Sequence, residues 1–112
     1  MTLIKLIVIT SLWIIANTAL ANGLSFIKQG LPYANVKASL TNNGWMPLKN
    51  RHIDHSSLYA QEVYEQGMEE VVDCISMELD ACVFRFIKNK QVLEIKTISR
   101  QLVVDSYQTK KR

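Results

Sequence analysis

The stretch that decides the fold is Cys82-Val-Phe-Arg-Phe-Ile-Lys-Asn-Lys-Gln-Val-Leu-Glu-Ile-Lys-Thr-Ile98. Side chains alternate between two faces through both halves of it, and one face carries Cys82, Phe84, Phe86, Leu93, Ile95 and Thr97. This alternation is typical of strands with one buried face. Between the halves, residues 88–91 are polar, and Asn89 tolerates the positive φ that a tight turn requires. The stretch therefore predicts an antiparallel hairpin.

The residues on either side extend this hairpin into a meander. Residues 70–76 are rich in β-branched side chains and predict a strand before it, and residues 102–105 predict a fourth strand at the edge. The protein has two cysteines, Cys74 and Cys82. In a small exported domain an even number of cysteines favours a disulfide, which here would join the first two strands near their connecting turn, residues 77–80.

Two helices are predicted upstream of the strands. The first spans residues 32–43, with Pro32 in its first turn, an apolar stripe of Tyr33, Val36 and Leu40, and Gly44 as its C-terminal cap. Ser57 caps the second, over residues 58–66, where Leu58, Tyr59 and Val63 are apolar. Residues 45–48 should be extended and residues 49–56 a loop. The predicted fold class is α+β, with two helices packed on one face of a three- to four-stranded antiparallel meander and one disulfide.

The first 21 residues resemble a cleavable export signal. Lys5 is followed by the apolar run of residues 6–15, and Ala19-Leu20-Ala21 offers small residues to a signal peptidase. A permanent membrane anchor is the alternative, but the run is shorter than the about 20 residues that span a bilayer. We expect a mature chain that starts at Asn22, does not insert into the membrane, and is periplasmic or secreted. It would form a single domain over residues 22–112, with an ordered core over 30–105 and a basic tail over 106–112, whose last residues, 110–112, we expect to be frayed and solvated.

Charge is segregated along this mature chain. Residues 52–84 contain eight acidic side chains and no Lys or Arg, whereas residues 22–51 and 85–112 are basic. Either the segments pack side by side in one small fold, or the acidic segment forms a face that steers a basic partner. The small net charge of the mature chain does not indicate nucleic acid as a partner.

Motifs that carry chemistry are not found in the sequence. It contains no nucleophile elbow, phosphate loop or paired-carboxylate motif, so we expect neither an enzyme nor a cofactor. His52 and His55 flank Asp54, but they lie in a predicted loop without further ligands, so we expect solvated side chains and no metal site. The Cys74–Cys82 spacing fits neither a Cys-x-x-Cys redox motif nor a four-ligand zinc site.

Aromatic side chains are the candidates for contact with a partner, since Trp and Tyr are favoured at binding hot spots. Trp45 follows the capping Gly44, so it can either fold back over the core or stay exposed as an anchor, and we expect the core position. Tyr33, Tyr59 and Tyr64 have the same two possibilities. We name Trp45, Tyr59 and Tyr64 as candidate partner contacts.

A longer pattern surrounds the first helix. Gly30, Tyr33, Val36, Leu40 and Gly44-Trp-Met-Pro47 fit G-x-x-Y-x-x-V-x-x-x-L-x-x-x-G-W-x-P, and Cys82-Val-Phe84 follows a further cysteine. The pattern resembles a family of small uncharacterised exported bacterial proteins in which this helix precedes a disulfide-linked strand pair. Members often carry further cysteines around the second helix, which this chain lacks. More distantly, the order of elements is similar to the repeats of beta-lactamase inhibitory protein and to some outer-membrane assembly lipoproteins, a likeness of fold only.

Two functions are compatible with these features. Export, a stapled small domain, segregated charge and no catalytic set favour a protein-binding or inhibitory module with an unknown protein partner in the cell envelope or outside the cell. The alternative is a small-ligand or lipid-binding protein that uses the gap between helix and sheet.

Overall fold

The structure, a computed structural model, describes residues 23–112, so the predicted signal and its cleavage site lie outside the described residues. Two helices and an antiparallel five-stranded sheet confirm the α+β class. In chain order the elements are α1 (Tyr33–Asn42), β1 (Met46–Pro47), a 3₁₀ turn (Ile53–His55), α2 (Leu58–Glu65), β2 (Val71–Ile75), β3 (Ala81–Lys88), β4 (Gln91–Ile98) and β5 (Val103–Lys111). Within residues 23–112 no helix is long and apolar enough to cross a membrane.

Strand β3 is the centre of the sheet. It pairs with β4 along its whole length, from Cys82 opposite Thr97 to Lys88 opposite Gln91. Its other edge is shared, because β2 pairs with its first half and the short β1 with its second half. Asn89 in the β3–β4 turn has φ 55°, as the sequence predicts. The disulfide between Cys74 and Cys82 is confirmed, and the two cysteines face each other across β2 and β3.

The core lies between the helices and one face of the sheet. The predicted stripe of α1 is buried, and the ring of Tyr33 stacks on Phe84 with centroids 4.0 Å apart. From the sheet this core receives the alternating apolar side chains of the predicted hairpin, Cys82, Phe84, Phe86, Leu93 and Ile95. Helix α2 adds Tyr59, Ala60 and Val63. Leu58 is predicted among these apolar contacts but is exposed. With about 3.6 residues per turn, it lies on the side of the helix that faces away from Tyr59, Ala60 and Val63.

The end of α1 positions Trp45. Gly44 has φ 87°, a left-handed conformation that glycine adopts without steric cost. The N–H of Trp45 donates to the carbonyl of Leu40, and the N–H of Gly44 donates to that of Thr41, which together form a Schellman motif. This motif folds the chain back, so that Trp45 is only 6% exposed and belongs to the core.

The two edges of the sheet differ from the sequence prediction. The end of the ordered core expected at residue 105, with a basic tail over 106–112 frayed at 110–112, is wrong, because β5 continues to Lys111 and pairs with β4 as far as Gln91. Residues 106–111 are mostly polar and do not alternate with apolar side chains, so the sequence does not predict a strand there. The strand forms because the backbone of β4 offers hydrogen-bond partners along its whole length. The extended exit after Trp45 also becomes a strand, since β1 lies beside Phe86 and Ile87. The tail lengthens the predicted fourth strand, and β1 adds a fifth strand to the sheet.

A buried ionic network joins α1 to the start of β2. The carboxylate of Glu70 is 1% exposed; it accepts a 2.5 Å hydrogen bond from the phenol of Tyr33, and Lys37 Nζ lies 3.0 Å from its Oε2. Burial, together with the adjacent Glu70 carboxylate, raises the pKa of the Tyr33 phenol far above its usual value near 10.0. A charged group this deep in the core requires such partners.

This network predicts a loss of stability at alkaline pH that depends on Tyr33. Above about pH 10 the phenol ionises in the unfolded chain and stays protonated in the folded one, so the free energy of the unfolded state falls relative to that of the folded state as the pH rises. Tyr33→Phe should cost about 1.5–3 kcal/mol at neutral pH, the range for a hydrogen bond to a charged group. The substitution should also make the free energy of unfolding fall less steeply above about pH 10. Urea midpoints measured from pH 8 to pH 11 test this, and equal slopes for both proteins would contradict it.

Candidate functional site

The most distinctive surface feature is the turn between β2 and β3. We call residues 75–81 the stapled loop, because the Cys74–Cys82 disulfide closes its base. Ile75 is 59%, Met77 74% and Leu79 57% exposed. A single exposed apolar residue needs no explanation, but three within five positions on one turn form a patch of the kind that binds another molecule.

Backbone contacts hold this loop in one shape. Inside it, the N–H of Asp80 donates to the carbonyl of Met77 at 3.1 Å. From outside, the N–H of Ser99 donates to the carbonyl of Leu79 at 2.7 Å. Asp80 has φ 48°, a left-handed conformation that Asp tolerates better than most side chains. The disulfide and these bonds limit the conformations that the loop can sample.

Arg100 braces the loop from a second direction. Its guanidinium lies 3.6 Å from the carboxylate of Asp80 and 3.5 Å from that of Glu62 on α2. The same group stacks over the ring of Tyr59, with Cζ 3.8 Å from the ring centroid, a cation–π geometry. The pair with Glu62 is exposed to solvent and the pair with Asp80 partly exposed, so their individual contributions to stability are small. Their effect is to tie the loop to α2 and to the β4–β5 turn.

The lining of this surface is mostly apolar. Ile75, Met77, Leu79 and Ala81 line a shallow depression, and Glu78 is the one ionisable side chain in its lining. Both cysteines at the base are oxidised, so neither is a free nucleophile. The arrangement offers apolar contact area and one carboxylate, which suits the recognition of a complementary apolar surface.

The aromatic candidates from the sequence lie elsewhere. Trp45 and Tyr59 are buried, so neither offers its ring to a partner in this conformation, and the core position expected for Trp45 is the observed one. Tyr64 is half-buried and packs against the core. Tyr59 is nevertheless connected to the stapled loop through Arg100, and its hydroxyl is buried without a hydrogen-bond partner among the described residues.

The histidine pair lies on the outside of the 3₁₀ turn. His52 and His55 have ring centroids 6.3 Å apart, and His55 lies 3.7 Å from Asp54. Among residues 23–112 no three His, Cys, Asp or Glu side chains are grouped so as to hold a metal ion.

Sequence reasoning missed the stapled loop as a site, although a signal was present. It places a turn over residues 77–80, where polar side chains are usual. The β3–β4 turn follows that rule with Lys88-Asn-Lys-Gln91, whereas this one carries Met77 and Leu79. Apolar side chains in a solvent-exposed turn of a disulfide-linked hairpin are the pattern that could have revealed it.

Comparison with known proteins leaves the function to be argued from this geometry. The chain matches no family model, and no curated protein or solved structure shows significant similarity to it. The pattern around α1 therefore remains a resemblance.

Proposed function

We propose that the protein is an exported protein-binding module that inserts the stapled loop into an apolar pocket of a partner protein. The observation that carries the proposal is the exposure of three large apolar side chains on a turn closed by a disulfide. Blocking the partner's pocket would make the module inhibitory.

The energetics favour recognition of a protein surface. Transferring an Ile, Met or Leu side chain from water into a pocket contributes about 1.5–3 kcal/mol. Interfaces concentrate their binding energy in a few such side chains at the centre of the contact. Because Ser99 and Arg100 already hold the loop, most of that free energy remains available for affinity.

Export is part of the proposal and rests on two features. Residues 1–21 have the composition of a cleavable signal, and the Cys74–Cys82 disulfide suits an oxidising compartment. Ligand binding between helix and sheet has no comparable support, since buried side chains of the core occupy that gap.

A pull-down with matched variants tests the proposed function. Ile75→Ser, Met77→Ser and Leu79→Ser combined should abolish capture of a specific protein from cell-envelope extract at moderate salt. Leu58→Ser is the control, because Leu58 is 83% exposed but lies on α2 outside the stapled loop. Cys74→Ala with Cys82→Ala keeps the apolar side chains but removes the cross-link, so capture should weaken without disappearing.

The same experiment can reject the proposal. Capture of the same proteins by the triple variant and the wild-type protein would show that the loop is not the binding site. If Leu58→Ser loses as much capture as the triple variant, capture depends on exposed apolar side chains in general and not on the stapled loop.

A further inference from the structure

The two edges of the sheet differ in how far other residues cover their backbone groups. At the β2 edge, a bulge leaves the carbonyl of Val72 facing outward, and it accepts hydrogen bonds from Asn50 Nδ2 at 3.1 Å and Ser56 Oγ at 2.9 Å. The N–H of Asn50 also donates to the carbonyl of Glu69. The loop over residues 50–56 therefore covers this edge, which is how proteins prevent unwanted strand pairing.

The β5 edge is covered only at its start. The N–H and carbonyl of Val104 bond to Leu31 and Gly30, which lie beside β5 before α1 begins. Beyond the bulge at Asp105, no element within residues 23–112 pairs with the outer side of β5. The N–H of Arg112 points inward, to the carbonyl of Lys90. Because backbone groups alternate along a strand, those of Tyr107, Thr109 and Lys111 point outward.

We propose that this free edge binds the same edge of a second copy, antiparallel and centred on Gln108. In this register Gln108 faces its own counterpart, Tyr107 faces Thr109, and Asp105 faces Lys111. Tyr107 and Thr109 both present outward backbone groups, so their facing pairs form the hydrogen-bonded rungs of the new ladder. The two sheets become one continuous sheet.

Charge and length both select this register. Lysines on an edge strand usually discourage pairing, but here Lys111 meets Asp105, and Lys110 faces Ser106 while remaining 3.5 Å from Glu94 of its own copy. If the two β5 strands were centred on a residue before Gln108, Lys111 would collide with Gly30 and Leu31, which already cover the start of β5. A centre moved towards the C-terminus would shorten the ladder and remove the Asp105–Lys111 pair.

Tyr107 supplies apolar area at the contact. It is 42% exposed, and it lies opposite Ile95 on the face of the sheet that the helices cover. The facing strands are short, so the buried area is at the low end for protein interfaces and the association should be weak. Antiparallel pairing also places the two stapled loops at opposite ends of the joined sheet, which would let one dimer engage two partner molecules.

Engineered cysteines test the register directly. Gln108 uses its backbone groups towards β4, so in the dimer it forms a non-hydrogen-bonded pair with itself, at a Cα–Cα distance of about 4.5 Å that suits a disulfide. Gln108→Cys should form a covalent dimer under air oxidation at least tenfold faster than Ser106→Cys or Lys110→Cys alone. A mixture of those two control variants should form the heterodimer, because Ser106 faces Lys110. Peptide mapping must show Cys74–Cys82 intact.

Other outcomes overturn the proposal. Equal cross-linking of Gln108→Cys and Ser106→Cys would mean random collision. Failure of Gln108→Cys to cross-link at millimolar concentration, with a monomer in sedimentation, would exclude the second copy. Protection of the Tyr107 and Thr109 amides only when another protein is added would assign the edge to a foreign strand.

Discussion

Trp45→Ala is expected to lower the free energy of unfolding by about 3–5 kcal/mol, the usual cost of truncating a buried aromatic side chain. The indole is 6% exposed and lies in the core cluster with Leu40 and Phe86. A domain of this size has a total stability of only about 5–10 kcal/mol, so the variant should unfold at much lower urea or fail to accumulate after export. Urea denaturation followed by circular dichroism measures the change.

Two controls separate this effect from a surface role. Trp45→Phe keeps most of the apolar volume and should recover at least half of the loss. Trp45 is the only tryptophan of residues 22–112, so its emission reports its own surroundings. A blue-shifted emission that resists quenching is expected in the wild-type protein. A red-shifted, easily quenched emission, together with an unchanged urea midpoint for Trp45→Ala, would place the indole on the surface instead.

The parts of the fold that sequence reasoning predicts are those encoded by local rules. Gly44 can adopt a left-handed conformation, and that single residue ends α1 and returns Trp45 to the core. Alternation from Cys82 to Ile98 assigns each side chain of the central hairpin to a face, and Asn89 marks its turn. The disulfide follows from a count of two cysteines in a chain expected to be exported.

The parts that sequence reasoning misses depend on distant partners. Residues 106–111 have no apolar alternation of their own, and they form β5 because β4 lies alongside them. Glu70 resembles a solvated acidic residue until Tyr33 and Lys37, more than thirty positions earlier, are brought to it. The stapled loop is not predicted as a site for a related reason. Ile75, Met77 and Leu79 are exposed because no element among the described residues packs over them, and the sequence does not show this.

Lys37→Met should destabilise the protein by about 3 kcal/mol, because it leaves the buried Glu70 carboxylate without its counter-charge. Lys37 Nζ lies within 3.1 Å of both carboxylate oxygens, so one side chain neutralises the charge and supplies hydrogen bonds. Removing one member of a buried pair costs about 3–5 kcal/mol, and the lower end applies since the lysine is partly exposed. Urea denaturation monitored by Trp45 fluorescence gives the value.

A second substitution distinguishes loss of the charge pair from loss of packing. In Lys37→Met combined with Glu70→Gln the buried group is neutral and can still bond to the Tyr33 hydroxyl, so more than half of the lost stability should return. Lys49→Met is the matched control, because Lys49 is exposed and forms no ion pair among the described residues, and its stability should equal that of the wild-type protein. If Lys37→Met and the double variant are equally unstable, the methylene stem of Lys37 packs the helix against the sheet and the charge is secondary. If Lys37→Met instead matches the wild-type protein, Tyr33 alone suffices to hold the Glu70 carboxylate in the core.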